Sequence, residues 1–246
     1  MKITLLGTGD AAGTPKIGCN CETCQDASRG GRSSRLRSAT LIETTKGKVL
    51  IDTGPDLRKQ LLRENISHID ACIWTHGHYD HYAGYPEFYR VQKHVPVYGI
   101  TTTLNYILSY LHFLHPERND VRLYEPFEIA GAIFTLFKVV HPPQKDCAGV
   151  LIEQNHKKIV ITGDTGPAIP EQSIELMMGA DLLIADAITP PHIKLIKHMN
   201  SEEAFKLYRK TGARKVIFTH ISHLYKPHDE AIETWPLGYD GMEIII

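Results

Sequence analysis

Apolar residues along this chain come in short runs that end abruptly in glycine, aspartate or histidine. Such runs read as buried strands that deliver polar side chains to loops at their ends. In the first half the pattern predicts strands over 3–6, 71–75 and 95–98, and a hairpin of 39–44 and 48–52 around Thr45-Lys46-Gly47. Residues 56–64 read as a short helix with Leu57, Leu61 and Leu62 on one face. A longer helix is expected over 101–114, where Leu104, Ile107, Leu108 and Leu111 recur at helical spacing. The second half repeats the theme. Residues 127–140 give two strands around Gly131, and 149–153 with 158–162 a hairpin around Asn155-His156-Lys157. Two more strands are expected over 182–186 and 216–219. Residues 201–211 form a helix with an acidic first turn and Gly212 as its C-terminal stop. Strands interleaved with helices predict two sheets sandwiched between helices, in a single domain of residues 1–246 with two related halves.

The run at 71–74 ends in Thr75-His76-Gly77-His78-Tyr79-Asp80-His81. His76 and His78 alternate by two and can point the same way off an extended segment. Asp80 and His81 need a turn to reach a second position nearby. Two clusters of nitrogen and oxygen ligands result, the arrangement two-metal hydrolysis requires. Three further strand ends carry potential ligands: His141 after Val140, Asp164 in Thr162-Gly163-Asp164-Thr165, and His220 after Thr219. Alone, a Gly-Asp-Thr turn is ordinary turn chemistry, and a lone histidine is a satisfied or exposed one. Together the pattern predicts a dinuclear centre. His76, His78 and His141 are assigned to one divalent ion, and Asp80, His81 and His220 to the other. Asp164 is expected to bridge both, sharing its two oxygens. Water held between two such ions loses a proton near neutral pH and becomes a nucleophile. Mixed imidazole and carboxylate ligands suit Zn, Mn or Fe equally.

Composition narrows the partners. The 246 residues carry 27 Lys+Arg against 28 Asp+Glu, a formal net charge of -1. Such balance gives no long-range attraction for nucleic acid or an anionic membrane. Arg29, Arg32, Arg35 and Arg37 form a local basic run, read as a solvated loop. No stretch approaches the roughly 20 apolar residues of a membrane span. The opening Met-Lys-Ile-Thr-Leu-Leu meets Gly7, Gly9 and Asp10 too soon for a secretory leader, so a cytoplasmic location is expected. The five cysteines, an odd number, do not resemble a secreted disulfide framework. Cys19, Cys21 and Cys24 form C-x-C-x-x-C in a glycine-flanked loop around 18–25, and three thiolates so spaced can wrap one tetrahedral zinc. His223 is the expected fourth ligand of this structural zinc. Cys72 and Cys147 lie apart and read as plain residues.

H-x-H-x-D-H with a later His, Asp and His resembles the metallo-β-lactamase superfamily, in particular its phosphodiesterase branch. The resemblance covers nearly the whole chain. It implies an α/β fold, the αβ/βα four-layer sandwich of two mixed sheets flanked by helices, with the metals at the edge of the sheets. Further motifs narrow the family: G-T-G-D-A-A-G-T-P at 7–15, G-C-N-C-E-T-C at 18–24, T-H-I-S-H at 219–223 and G-Y-D-G-M-E at 238–243. With these the chain is similar to the phosphoribosyl 1,2-cyclic phosphate phosphodiesterases of phosphonate catabolism. That resemblance implies hydrolysis of a small, cyclic phosphodiester by two active-site ions, Mn or Zn, beside one structural Zn on the Cys3His set. It also implies a catalytic histidine, matched here by His198 in Lys197-His198-Met199-Asn200, which binds a phosphate oxygen and protonates the leaving alkoxide. Asp80 would orient the attacking hydroxide as well as ligate. Asp52 would brace the metal loop through hydrogen bonds. Members of the family are commonly homodimers; the helix bearing Tyr106, Tyr110 and Phe113 fits an interface or a core face equally well.

Two rival readings lie in the same superfamily. A tRNA 3′-processing endonuclease would place a long basic arm between the third-motif histidine and the bridging aspartate. The short stretch between His141 and Asp164 leaves no room for it, and nucleic acid is not the expected partner. A pyrroloquinoline-quinone-biosynthesis accessory protein shares the fold and the C-x-C-x-x-C motif. A non-enzymatic metal or nucleotide binder would need an assembled but idle site, which His198 beside all seven ligands argues against. The expected partner is therefore a small-molecule phosphodiester.

Overall fold

The computed structural model describes residues 1–246. The apolar runs pair into two mixed sheets. Strands β1 (Lys2–Gly7), β2 (Ala39–Glu43), β3 (Lys48–Ile51), β4 (Ala71–Ile73), β5 (Val97–Gly99), β6 (Arg118–Asp120) and β13 (Met242–Ile245) form the first, in the order β13-β1-β2-β3-β4-β5-β6. Strands β7 (Pro126–Ile129), β8 (Ala132–His141), β9 (Gln144–Gln154), β10 (Lys157–Ile161), β11 (Leu182–Asp186) and β12 (Val216–Thr219) form the second, in the order β12-β11-β10-β9-β8-β7. Strands β3 to β6 run parallel, as do β10 to β12. Parallel neighbours end at the same edge, so their C-terminal loops gather there.

Period-two alternation sorts side chains into three apolar layers. Ile3, Leu5, Ile42, Val49, Ile51 and Ile73 face Phe134, Leu136, Val150, Ile152, Ile159 and Ile184 between the sheets. Leu41, Leu50, Cys72, Trp74 and Val97 turn outward against Leu57 of α2 (Leu57–Arg63) and Leu104, Ile107 and Leu111 of α4 (Thr101–Leu111). On the opposite outer face Phe137, Val139, Leu151, Val160, Leu183 and Phe218 pack against Ile174 and Met177 of α5 (Glu171–Met177) and Ala204 and Leu207 of α6 (Ser201–Thr211). Helix, sheet, sheet, helix is the four-layer αβ/βα sandwich. Each fully buried Leu, Ile or Phe contributes about 1.5–3 kcal/mol relative to exposure. No helix is long and apolar enough to cross a membrane.

Several local expectations need correction. The cysteine motif is not all loop: Cys21 caps α1 (Glu22–Ser28), and Cys24 lies in its first turn. Helix α2 buries Leu57 and Gln60, whereas Leu62 is 64% exposed, because positions 57, 60 and 61 share a face and 62 leaves it. The longer helix stops at Leu111 and closes in a 3-10 turn, His112–Leu114. Its core face is Leu104, Ile107 and Leu111; Tyr106, Tyr110 and Phe113 stay exposed. The basic run is not a uniform solvated loop. Arg35 is buried and donates from Nη1 to Thr8 Oγ1 and the Gly238 carbonyl, at 2.7 and 2.6 Å, while Nη2 meets His228 Nδ1 at 2.9 Å. Strand β9 begins at Gln144, five residues before the stretch 149–153 expected for it. Lys157, expected in the turn, opens β10. Asn155 and His156 alone make that turn, at φ 51° and 62°, as a two-residue type I′ hairpin requires.

Candidate metal centre and active site

Strand ends build the site, as the pattern of apolar runs implies. Beyond β4 the chain passes through His76 and His78 into α3 (Tyr79–Tyr82), which carries Asp80 and His81. His141 closes β8, Asp164 follows β10, Asp186 closes β11 and His220 follows β12. His76, Asp80, His81, His141, Asp164 and His220 are buried, and His78 is half-buried.

Their donor atoms converge in two groups. In the first, Nδ1 of His78 lies 3.0 Å from Nε2 of both His76 and His141. Asp164 Oδ2 lies 3.7 Å from each of those Nε2 atoms. In the second, Asp164 Oδ2 lies 3.3 Å from Nε2 of both His81 and His220. Asp80 Oδ2 is 3.4 Å from His81 Nε2 and 3.6 Å from His220 Nε2. One oxygen of Asp164 thus makes all four contacts, where one oxygen for each group was expected.

Hydrogen bonds fix the tautomers. His141 Nδ1–H donates to the Lys197 carbonyl at 2.7 Å, and His81 Nδ1–H to Asp52 Oδ2 at 2.7 Å. Thr75 Oγ1 spends its proton on Asp52 Oδ2 at 2.8 Å and so accepts from His76 Nδ1–H at 3.1 Å. Asp52 Oδ1 accepts the Thr75 backbone N–H at 2.9 Å. Each of these three rings therefore turns Nε2 inward, and outer partners of this kind fix ring orientation in metal sites. Asp52 (φ 64°) and His220 (φ 58°) hold left-handed backbone at their strand ends. That conformation is costly for residues other than glycine and clusters at functional sites.

The donor set fits divalent ions. Nε2 of His81 and both ring nitrogens of His220 are buried without hydrogen-bond partners, a costly state for polar atoms. Metal–nitrogen bonds of about 2.0–2.1 Å put neighbouring tetrahedral donors about 3.4 Å apart, close to the separations found. Charge tells the same story. Burial opposes protonation of His81, yet Asp164, Asp80 and Asp52 outweigh it and hold His81 well above the usual imidazole range. His220 is raised to about 9, burial again being outweighed by Asp164 and Asp80. Burial takes His76 well below that range and His141 down to about 4. Protons on His81 and His220 thus occupy the place of cations beside the carboxylates, and ligation would displace them.

His198 stands at the rim of both groups. Its ring centroid is 4.6 Å from that of His141 and 4.9 Å from that of His220. Nδ1–H donates to Asp186 Oδ2 at 2.8 Å, which leaves Nε2 free. The sequence reading did not single out Asp186, although Leu182–Asp186 shows the same signal as the other ligands, an apolar run ending in a carboxylate. Also missed was Asp240 of the G-Y-D-G-M-E motif. Its carboxylate accepts from Thr8 N, Thr8 Oγ1 and Leu36 N at 2.7–2.8 Å and so holds the N-terminal glycine loop in place.

Cys19, Cys21, Cys24 and His223 bring their ligand atoms within 4.8 Å of one another, and His223 Nδ1 lies 3.5 Å from both Cys19 Sγ and Cys21 Sγ. Zinc–sulfur bonds of about 2.3 Å are compatible with that spacing. Cys72 and Cys147 are buried elsewhere.

A four-layer sandwich with histidine and aspartate donors gathered at the strand ends is the framework of a metal-dependent hydrolase. The family model described as the Beta-lactamase superfamily domain matches residues 48–221, and the chain belongs to the metallo-β-lactamase superfamily. Within it the chain is similar over its whole length to a crystal structure described as a new diphosphatase from the PhnP family. The two share 31% identity at a TM-score of 0.89, covering 99% of this chain and 96% of that one. Zn(2+)-bound PqqB from Methylobacterium extorquens superposes at a TM-score of 0.82 over 100% of both chains; at 20% identity this likeness is one of fold. An octanoyltransferase of Porphyromonas gingivalis (strain ATCC BAA-308 / W83) is 29% identical over 265 aligned positions, covering 100% of this chain. The chain spans 52% of that relative's length.

Proposed function

We propose that the protein is a dinuclear metal-dependent phosphodiesterase acting on a small, cyclic phosphodiester such as phosphoribosyl 1,2-cyclic phosphate. The observation that carries this reading is the placing of His198, held by Asp186, against rings from both donor groups. Bound divalent ions, Mn or Zn, would supply positive charge for the phosphate oxygens and lower the pKa of a water. His76, His78 and His141 would hold one ion, Asp80, His81 and His220 the other, and Asp164 both. A separate zinc on Cys19, Cys21, Cys24 and His223 would tie the N-terminal loop to the end of the site.

The chain's own residues supply the rest. Asp186 fixes the His198 ring, so that Nε2 is the atom that meets the substrate. As the P–O ester bond to the ring oxygen breaks, Nε2–H gives its proton to that oxygen, which becomes a hydroxyl on the ring-opened phosphomonoester. Asp80, beside the rings of His81 and His220, is placed to accept a hydrogen bond from the attacking water. Asp52 and the Lys197 carbonyl keep His81 and His141 oriented throughout.

Against the tRNA-processing reading, the stretch from His141 to Asp164 is filled by β9, β10 and their tight turn. The net charge of -1 supplies no general attraction for a nucleic-acid backbone. Hydrolysis of a diphosphate is the second reading, favoured by the similarity to the PhnP-family diphosphatase. Phosphate leaves more readily than an alkoxide, so that reaction depends less on His198.

Metal content per chain, measured together with hydrolysis of bis(p-nitrophenyl) phosphate, tests the proposal. About three metals with turnover support two catalytic ions and a structural zinc. About one metal, with no activity after Mn or Zn is added, overturns it. A panel of cyclic phosphates and diphosphates then separates the two readings.

A further inference from the structure

Beyond α3 the chain runs through a 3-10 helix, Tyr85–Arg90, and a loop that leads to β5. That segment and the turn His112–Leu114 at the end of α4 enclose a cavity of about 380 Å³. The volume falls in the range of ligand pockets, roughly 300–1,000 Å³. None of the lining residues belongs to the metal centre or the cysteine cluster. Tyr85, Phe88 and Phe113 supply aromatic surface. Tyr85 and Phe88 are buried, meet edge to face at 5.5 Å, and are backed by Trp74 at 5.1 Å from Tyr85. They form a fixed wall, whereas Phe113 is exposed. With them stand Arg90, Lys93, His94 and His115. Across the chain acid and base balance, yet no carboxylate lines this cavity. Glu87, on the same 3-10 helix, lines a separate hollow with Leu62 and Val91. The neutral polar groups are already engaged. Tyr85 Oη–H donates to the Val95 carbonyl at 2.6 Å, and the Gln92 amide bonds both backbone groups of Ile69. Arg90 lies over the Tyr89 ring at 4.7 Å, which orients the guanidinium plane without consuming its N–H donors. His94 and His115 hold left-handed backbone, φ 58° and 45°, and the His94 ring reaches the His115 carbonyl at 3.5 Å. Two such residues in contact at one cavity are notable, since that conformation is costly outside glycine and clusters where ligands bind.

We propose that this cavity is a second binding site, separate from the metal centre, for a small aromatic acid: a flat ring joined to an anionic group. The ring lies against Tyr85 and Phe88, with Phe113 covering it from the solvent side. The anion meets the guanidinium of Arg90, whose planar fork matches an oxyanion, and the ammonium of Lys93. Both halves of the ligand are needed. A neutral ring would cover basic groups and leave them unpaired, and a free inorganic anion would leave the aromatic wall wet.

The test is calorimetric titration of the metal-loaded protein with two probes, indole-3-acetate and its neutral counterpart indole-3-acetamide. The acetate is expected to saturate a single site and to bind tighter than the amide by about five-fold or more, since each exposed cation contributes modestly. Arg90 and Lys93 are exposed, so replacing them leaves the fold intact. Arg90→Gln combined with Lys93→Gln should bring the two affinities together. Phe113→Ala should weaken both probes by about two- to ten-fold, the range of an aromatic contact. Acetate held by the metal ions instead would be indifferent to all three substitutions. Absence of saturable acetate binding, equal affinity of the wild type for the two probes, or acetate affinity unchanged in either variant overturns the site.

Discussion

Asp186 meets His198 through one oxygen and leaves the other bare. Oδ2 accepts the Nδ1–H of His198 at 2.8 Å and the Thr165 backbone N–H at 2.9 Å. Oδ1, 4.0 Å from His220 Nδ1, is buried without a hydrogen-bond partner. A wholly buried carboxylate placed this way orients the ring of His198 and offers it a counter-charge when it carries a proton.

Asp186→Asn keeps the shape and removes that charge. Turnover is expected to fall by about 10- to 100-fold, as loss of a ring-orienting hydrogen-bond partner does, while the metal content stays at the wild-type value. The loss should be larger for a methyl ester, whose leaving alkoxide needs a proton, than for a p-nitrophenyl ester. His198→Ala should show the same leaving-group dependence. An equal loss on both esters, or loss of metal, would make the pair structural instead.

Asp164 Oδ2 is the atom shared by both donor groups, at 3.3 to 3.7 Å from four imidazole nitrogens. Asp164→Ala should therefore deplete both ions, where His76→Ala should deplete chiefly one. Both variants are expected to lose activity below detection. Metal analysis after dialysis checks the difference, and wild-type turnover in either variant refutes the assignment.

How far the sequence reveals this site follows from what each signal depends on. His76, His141, Asp164 and His220 all follow apolar runs, and a run marks a strand whatever its partner. The same logic covers Asp186, but a carboxylate ending a strand has no distinctive neighbours until the ring of His198 is seen beside it. Strand β13 pairs with β1 across nearly the full chain length, Lys2 opposite Ile245, and no local pattern encodes such a partner. Strand β6, Arg-Asn-Asp, is an exposed polar edge and lacks the alternation that marks a half-buried strand. Helix α1 escapes notice because its cap is a cysteine: Cys21 Sγ accepts the Cys24 N–H at 3.5 Å, where serine or aspartate would have signalled the start. Arg35 looks like one of four solvated cations until Thr8, Gly238 and His228 are folded around it.

The cysteine cluster joins residues 19–24 to His223 across almost the whole chain. Cys21→Ser should remove one metal per chain and lower stability by about 2 kcal/mol, or about 4–8 °C in melting temperature for a chain of this size. That is far less than in small zinc peptides, because the three apolar layers fold without it. Calorimetry and zinc analysis check this together; unchanged zinc and melting temperature would dismiss the site. Activity with added metal should persist, since His220 is held separately at the end of β12.

His228 supplies a pH dependence away from both metal groups. It is 2% exposed, and its Nδ1 accepts from Arg35 Nη2–H at 2.9 Å. Burial first, and the Arg35 guanidinium second, lower its pKa to about 4. An unfolded histidine titrates near 6.5, so between those values the unfolded chain binds the extra proton. Stability from this group is complete above about pH 6.5 and is lost as pH falls toward 4, by an amount on the order of 3 kcal/mol. His228→Asn presents an amide oxygen near the place of Nδ1 and cannot titrate. Denaturant unfolding of wild type and variant across pH 4–7 should therefore give a shallower decline for the variant. Parallel curves would show that the Arg35–His228 contact persists when the imidazole is protonated, which its geometry does not permit without moving the guanidinium.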